Sequence, residues 1–179
     1  RSGEFFEFNV QHIFDKPTEG FELVDSVYIP AGRYWDNRLE IQFSTFRGRK
    51  ISGEVEVSAG EFYTGHRQEI EVNIYYNLNK HLNIGIDWQT NYLQLPQKSF
   101  TTNELGGRID YAFNPKLATN IYAQWNNEDQ NVLINYRINW IPKIGSYFYF
   151  VINQEFDTSN GIKVKRTTIL GKLIWRFAL

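Results

Sequence analysis

Apolar and polar side chains alternate with a period of two along most of the chain. In NVLINYRINW (131–140), Ile134 and Trp140 share one side of an extended strand, while Asn135 and Arg137 lie on the other. This pattern recurs between turn-like sequences, and helical periodicity is nearly absent. The alternation therefore predicts an all-β protein with about eleven strands, each apolar on one face and polar on the other.

Composition excludes several functional classes. The 179 residues suit one domain, and we predict a single unit over 1–179. A net charge of -1 argues against nucleic-acid binding. The chain has no Cys, so a disulfide framework or Cys-type metal site is excluded, and we predict no metal and no cofactor. The sequence contains no Met, even at position 1, so we expect either processing or a piece of a longer protein.

The connections between predicted strands form two alternating sets. One set is tight: RGRK (47–50), NLNK (77–80), NPK (114–116) and PKIG (142–145). The other set is generally longer: YTGHRQ (63–68), LQLPQKSFTT (93–102), NNEDQ (126–130) and DTSNGIK (157–163). Because outer-membrane barrels have short periplasmic turns and longer external loops, this alternation predicts their topology. Upstream, the turn DKPTEG (15–20) separates two less regular strands.

Two all-β folds share this alternation and differ in which face meets water. A soluble lipocalin-like barrel encloses its apolar face, whereas a transmembrane barrel turns that face to lipid. Trp and Tyr near predicted strand ends favour the membrane form, because these residues collect at membrane interfaces. They are Trp35, Trp88, Tyr111, Trp125, Trp140, Tyr147 and Trp175. We therefore predict an antiparallel up-and-down transmembrane β-barrel of about 10–12 strands, either complete or the C-terminal part of a larger barrel.

The polar faces would then form a charge network in the lumen. An Arg on the lipid face costs about 2–4 kcal/mol at the bilayer midplane, so Arg108 and Arg137 are expected inside. Their expected partners are the carboxylates of Glu54, Glu56, Asp87 and Asp110. The full predicted network comprises Arg38, Glu54, Glu56, Glu69, Glu71, Asp87, Arg108, Asp110, Arg137, Lys172 and Arg176.

An ordered series of short elements carries a family resemblance. Its residues are Leu95 and Pro96; Phe100, Thr101 and Thr102; Arg108, Tyr111 and Phe113; Gln124, Trp125 and Asn126; Asn135, Arg137 and Trp140; Pro142, Gly145 and Ser146; and Val151 and Asn153. IPAGRY (29–34) and GEFYTGH (60–66) extend the series upstream. Over roughly 21–179, the chain resembles the C-terminal outer-membrane barrel, a domain of unknown function, of Gram-negative proteins that carry an N-terminal carbohydrate-binding-module family 9-like domain. The resemblance implies an outer-membrane location and no established reaction.

The residues that could carry chemistry can also be explained by structural roles. His66 and His81 fall at opposite ends of the predicted strands and His12 on an early strand, so they do not predict a shared metal. Spacing alone does not exclude a Ser–His–Asp arrangement, for which the candidates are His66, Ser99, Asp129, Asp157 and Ser159. The pairs Glu54/Glu56 and Glu69/Glu71 suit either acid–base chemistry on a glycan or lumen ion pairs. Gln124, Trp125, Asn126 and Asn127 suit either sugar contacts or an aromatic girdle followed by a polar loop.

The sequence leaves three functional hypotheses. The leading one is an outer-membrane barrel that acts as an anchor or passive conduit, linked to the binding or uptake of glycans or other polymers. Its predicted partners are the lipid bilayer with lipopolysaccharide, the barrel-assembly machinery, which would read the final LIWRFAL (173–179), and a glycan or polymer ligand, with no nucleic acid. The alternatives are an outer-membrane hydrolase with its site on the external loops and a soluble lipocalin-like ligand-binding barrel.

Overall fold

The computed structural model describes residues 3–177; Leu179, the last residue of the predicted assembly signal, lies outside them. The regular elements of this part of the chain are twelve β-strands. In chain order they are β1 (Phe5–Asp15), β2 (Phe21–Val24), β3 (Val27–Ile29), β4 (Tyr34–Ser44), β5 (Ile51–Phe62), β6 (Gly65–Asn77), β7 (Leu82–Gln94), β8 (Ser99–Asn114), β9 (Leu117–Asn126), β10 (Asn131–Lys143), β11 (Ser146–Asp157) and β12 (Lys163–Ile174). Within residues 3–177, no helix has the length and apolar character needed to cross a membrane.

Ten of the strands form one sheet in which neighbours in space are neighbours along the chain. The order is β1-β4-β5-β6-β7-β8-β9-β10-β11-β12, and β2 and β3 form a separate hairpin. The paired strands whose registers are defined run antiparallel. The predicted all-β, antiparallel, up-and-down topology is therefore confirmed.

The segment between β1 and β4 is the main irregularity. β1 pairs with β4 along its whole length, from Phe5 opposite Ser44 to Asp15 opposite Tyr34. The turn DKPTEG therefore leads away from the sheet into the β2–β3 hairpin instead of joining two adjacent strands. The single irregular strand predicted after it is divided at Ser26, whose φ of 69° belongs to the left-handed region of a turn.

The chain packs into two compact units. Unit 1 comprises Arg1–Phe46, Gly53–Val72 and Gln89–Asn103, and unit 2 comprises Arg47–Ser52, Asn73–Trp88 and Glu104–Leu179. The most deeply buried apolar cluster of unit 1 lies at the hairpin, where Val27 and Ile29 are fully buried against Leu95. Its surroundings include Phe62, Tyr63 and Phe100, so the hairpin packs on the β5–β6 and β7–β8 connections.

The sheet buries its polar face and exposes its apolar face. Along β4, Asp36 is only 7% exposed, while Leu39 is 52% exposed and Ile41 is 45% exposed. In unit 2, Glu155 is 8% exposed, whereas Ile109 on β8 is 45% exposed. This is the reverse of the arrangement that a soluble lipocalin-like barrel needs.

Aromatic side chains lie near most strand ends, as expected, with two exceptions. Trp35 begins β4, Trp125 and Trp140 lie close to the ends of β9 and β10, Tyr111 lies near the end of β8, and Trp175 directly follows β12. Trp88, however, lies in the middle of β7. Tyr147 begins β11 but shares its face with Lys172, which is a polar face. The girdle prediction is therefore wrong for these two residues.

The predicted difference between short turns and longer loops holds for the C-terminal hairpins and is wrong for the N-terminal ones. At one end of the strands, here the A end, the connections are 45–50, 78–81, 115–116 and 144–145. At the opposite B end they are 63–64, 95–98, 127–130 and 158–162. Strand pairing extends through His66, Arg67 and Phe100, which the sequence placed in loops. The B end does hold the longest connection, 16–33, which contains the hairpin.

Candidate functional site

Polar side chains of unit 2 align in rows across five strands. In antiparallel pairs, residues directly opposite one another share a face. One row runs from Arg108 through Tyr122, Asn135 and Asn153 to Thr168. The next row runs from Asp110 through Asn120 and Arg137 to Val151 and Leu170. The register thus gathers amides, cations and a phenol on one face, although they are far apart in sequence.

A cavity of about 530 Å³ lies over these rows. Its charged lining groups are Lys80, Arg108, Arg137 and Asp110, and the amides Asn120, Asn135 and Asn139 lie between them. Tyr122 and Asn135 also line a second cavity of about 340 Å³ towards the B end, which includes Asn153 and Glu155. The two cavities share Tyr122 and Asn135, so together they form an elongated surface that is suited to an extended ligand.

The arginines of the predicted network lie against aromatic rings. The Arg108 guanidinium is 5.3 Å from the centre of the Tyr122 ring, and that of Arg137 is 5.6 Å from the centre of the Tyr149 ring. The Arg137 Nε is buried and makes no hydrogen bond in the part of the chain that the structure describes. A cation held over a ring face is attracted by the ring quadrupole and keeps its N–H groups for other acceptors.

The two acids of the predicted network in unit 2, Asp87 and Asp110, are held by neutral donors. Asn120 Nδ2 donates to Asp110 Oδ1, and the Tyr122 hydroxyl donates to Asp87 Oδ2 at 3.1 Å. A Cβ at Gly106 would displace the Asp87 carboxylate from its present position. Asp87 therefore fixes the ring of Tyr122, which in turn underlies Arg108. The predicted pairing of Arg108 and Arg137 with carboxylates stays a prediction.

The polar face of unit 1 is richer in acids. Glu69 is buried and accepts hydrogen bonds from Ser58, Arg67 and Gln89. Glu54 accepts a 2.8 Å hydrogen bond from Gln42, which is opposite Glu56 in the register. The remaining predicted members of this unit, Arg38 and Glu71, are half-buried. Glu54, Glu56, Glu69 and Glu71 thus lie on the polar face of their strands, and their role as ion-pair partners in a lumen stays a prediction.

The two basic residues predicted near the C-terminus are exposed. Lys172 Nζ is 5.8 Å from the centre of the Tyr147 ring, and the Arg176 backbone N–H donates to Ser146 Oγ at 2.8 Å. Nearby on the same strand, Lys165 and Arg166 form ion pairs with Glu155 at 2.7 Å and 3.0 Å. Sequence patterning did not identify this Glu155 cluster, because YFYFVINQ is apolar on both faces.

The four predicted sugar contacts do not share a surface. Gln124 and Asn126 lie on the polar face, Trp125 lies on the apolar face opposite Leu105 and Val132, and Asn127 is in the turn after β9. Tyr122 is the aromatic residue of β9 that lies on the polar face, and it was not among the predicted sugar contacts. Its spacing of two from Asn120 and Gln124 was the available signal.

The candidate histidines and hydroxyls make local contacts. His12 stacks on Trp35 with ring centres 4.7 Å apart, and its Nδ1 is 2.8 Å from Asn37 Oδ1. His81 Nδ1 is 2.7 Å from the Ala112 carbonyl oxygen. His66 lies at the start of β6 and Ser99 at the start of β8, and both are exposed. No group of three His, Asp or Glu within residues 3–177 could hold a metal ion.

The 157–163 connection is ordered by its own side chains. Asp157 Oδ1 accepts hydrogen bonds from the Ser159 backbone N–H and hydroxyl, at 2.8 Å and 2.6 Å. Asp129 lies in the exposed turn before β10, where its N–H donates to Asn126 at 2.7 Å. A serine that donates directly to the aspartate orders a loop; it does not form a nucleophile and base pair.

The comparisons with known proteins are limited to folds. No protein-family model and no curated protein matches the chain. Among solved structures, the chain is similar to KdgM porin in complex with disordered oligogalacturonate, at 14% identity over 98% of this chain and 96% of that chain, with a TM-score of 0.43. It is also similar to a second KdgM porin structure, at 13% identity over 98% of each chain and a TM-score of 0.43.

Proposed function

We propose that the chain is an outer-membrane β-barrel, or the C-terminal part of one, that serves as a membrane anchor or passive conduit and binds a glycan or another polymer on its polar face. The observation that carries this proposal is the burial pattern. Apolar residues on successive strands are exposed, while charged residues between them are buried.

An exposed apolar face of this length needs an apolar solvent. Leu39, Ile41 and Phe43 on β4 are each at least 45% exposed, and Ile109 and Ile121 continue the pattern in unit 2. In water such a surface would associate with other copies. In a bilayer the same surface contacts acyl chains, and the hydrogen-bonded strands satisfy their backbone groups internally.

The polar cavity of unit 2 supports a saccharide ligand. Tyr122 offers a ring, Asn120 and Asn135 offer amide donors and acceptors, and Arg108 and Arg137 offer cations. Amides and charged donors pair with hydroxyl and carboxylate oxygens. The cavity is lined by three cations, Lys80, Arg108 and Arg137, and by one carboxylate, Asp110. This excess of positive charge favours an acidic saccharide over a neutral one.

The location and partners complete the proposal. The resemblance to the C-terminal barrel that follows a carbohydrate-binding-module family 9-like domain supports an outer membrane of a Gram-negative bacterium and a glycan-related role. We assign the lipid bilayer with lipopolysaccharide and the barrel-assembly machinery as partners on the same grounds. No reaction is assigned.

Planar-bilayer recording of the refolded chain tests the proposal. A conduit gives discrete current steps, and an oligosaccharide of uronic acids reduces them more than its neutral counterpart does. Stable insertion without current steps supports the anchor role instead. A monodisperse protein in detergent-free buffer that fails to insert would contradict both.

The variant Tyr122→Ala tests the site. We expect it to weaken the block by the acidic oligosaccharide about tenfold, because it removes the ring and loosens Arg108 (about 1–2 kcal/mol). Trp125→Ala is the matched control, since Trp125 lies on the opposite face of the same strand. Equal loss in both variants would place the ligand elsewhere.

A further inference from the structure

We infer that the A end of unit 2 is a binding surface for the phosphate groups of anionic phospholipids, formed by Lys50, Lys80, Lys116 and Lys143. This inference rests on the proposed membrane location and adds a lipid partner with a defined site. These four lysines are here called the lysine row.

Each A-end connection supplies one member of the row. Lys50 closes the 45–50 connection, Lys80 lies in 78–81, Lys116 lies in 115–116, and Lys143 directly precedes 144–145. All four side chains are exposed, and residues 47–50, 78–81, 115–116 and 143–145 contain no Asp or Glu. With Arg47 and Arg49 in the first connection, these residues contain six cations and no acid, so this edge is a surface of a single sign.

Backbone hydrogen bonds connect these turns in order. The Asn77 N–H donates to the Lys50 carbonyl at 2.8 Å, where β6 runs into the turn of Lys80. The Ala112 N–H donates to the His81 carbonyl at 2.8 Å, and the Ile141 N–H donates to the Lys116 carbonyl at 2.7 Å. Neighbouring members are therefore two strands apart, roughly 10 Å.

The row adjoins apolar and aromatic groups suited to a membrane interface. Lys50 Nζ is 5.7 Å from the centre of the Tyr76 ring, and Lys143 Nζ is 4.8 Å from the centre of the Trp175 ring. Tyr76 and Trp175 lie on the apolar face, near or just beyond the ends of β6 and β12. Ile144, next to Lys143, is 90% exposed. An ammonium above an interfacial ring lies at headgroup depth with its stem in the apolar region.

The geometry selects phospholipid over lipopolysaccharide. The longest connection, 16–33, lies at the B end. In outer-membrane barrels the longer connections are external and the short ones periplasmic. The A end therefore faces the periplasmic leaflet, where the anionic groups are phospholipid phosphates, and lysines near such a surface are attracted to it.

Lipid selectivity in reconstituted vesicles tests the inference. The full chain is inserted into phosphatidylcholine vesicles, and the association of spin-labelled phosphatidylglycerol is compared with that of spin-labelled phosphatidylcholine. We expect a preference for phosphatidylglycerol of up to roughly fivefold, the attraction of one lysine to an anionic surface. Raising the salt concentration should reduce this preference, because exposed charges are screened.

Two matched variants locate the preference. K50Q/K80Q/K116Q/K143Q should abolish most of the preference for phosphatidylglycerol, while K16Q/R33Q/K98Q/K163Q, which removes four cations at the B end, should keep the native preference. Equal association of the two lipids with the native chain would overturn the inference and leave the proposed function standing. Loss of the phosphatidylglycerol preference in the B-end variant alone would do the same. Failure of the native chain to insert into any vesicle would overturn both.

Discussion

Tyr63, in the turn between β5 and β6, is hydrogen-bonded to strands β1 and β4 of the sheet. Its hydroxyl donates to Asp15 Oδ2 at 2.7 Å, and its backbone N–H donates to Asp36 Oδ2 at 3.1 Å. The hydrogen bond to Asp15, together with partial burial, raises the pKa of Tyr63 to about 12. The turn that carries Tyr63 is thus held by the protonated phenol.

Tyr63→Phe should remove an alkaline component of stability. A pKa that folding raises means that the protonated form stabilises the fold, fully so below the unfolded pKa of about 10, and the effect is lost as pH rises through about 12. We expect the variant to lower the free energy of unfolding by about 1 kcal/mol at neutral pH and to lose this difference at strongly alkaline pH. Denaturant unfolding in micelles measures both.

Tyr92→Phe is the control for that experiment, because Tyr92 is exposed on the same unit. A Tyr63→Phe curve that stays parallel to the native curve up to strongly alkaline pH would contradict the role given to the Tyr63–Asp15 hydrogen bond.

A charge on the apolar face should cost far more than the same charge on the polar face. Ile121→Arg places a guanidinium mid-strand on β9, facing lipid under the proposed function, at a cost of about 2–4 kcal/mol. Gln124→Arg adds the same group to the polar face of that strand and should cost less than about 1 kcal/mol. Unfolding from phospholipid vesicles measures the difference. Equal costs would mean that the two faces share one environment.

At the residue level, the period-two alternation predicts which face of a strand a residue lies on. It does not predict which side chains that residue contacts on neighbouring strands. Arg137 and Asp110 were assigned to the polar face from alternation alone, and the register places them there. Trp125 was grouped with Gln124 because they are adjacent, yet adjacent residues of a strand point to opposite sides. Which side chains meet across strands depends on register, and a single strand does not encode register.

The β2–β3 hairpin contributes to a buried apolar cluster of the kind found in the core of a water-soluble protein. Val27 and Ile29 are fully buried with Leu95, and Gln97 Nε2 donates to the Tyr28 carbonyl at 3.2 Å. The Gly32 N–H donates to the Pro17 carbonyl at 3.3 Å, which closes the base of the excursion. The connection 16–33 is therefore a folded element at the B end.

Ile29→Ala should destabilise this element selectively. Removing a fully buried aliphatic side chain costs about 2–5 kcal/mol through lost burial and the cavity left behind. We expect faster proteolysis and faster hydrogen exchange within 16–33, with the sheet strands unchanged. Ile41→Ala is the control, since Ile41 is 45% exposed and, under the proposed function, lipid or detergent fills the space. Unchanged protection in Ile29→Ala would contradict the packing described.

Element boundaries show where sequence patterning loses information. The sequence placed His66 and Arg67 in a loop because they are polar, but β6 starts at Gly65 and pairs through them. Under the proposed function, strand ends that extend beyond the membrane contact water on both faces, so their sequences resemble loops although their backbones pair. Turn and loop lengths at the two ends therefore required coordinates, while the topology followed from counting strands.

At the scale of the whole molecule, a lipid environment would explain why the sheet exposes its apolar face. Residues 3–177 contain twelve strands, yet the buried apolar residues among them are Val27, Ile29, Leu93, Leu95 and Val151. A water-soluble sheet would bury far more of its apolar side chains. The fold is consistent when the acyl chains of a bilayer take the place of that missing core.

Accessibility along β4 tests this claim most directly. The chain has no Cys, so single cysteines at positions 38 to 43 can each carry a spin label. We predict that labels at Leu39, Ile41 and Phe43 collide with oxygen dissolved in the bilayer, while labels at Arg38, Glu40 and Gln42 collide with a water-soluble nickel reagent. The opposite alternation, or nickel access on both faces, would contradict the membrane-facing apolar surface.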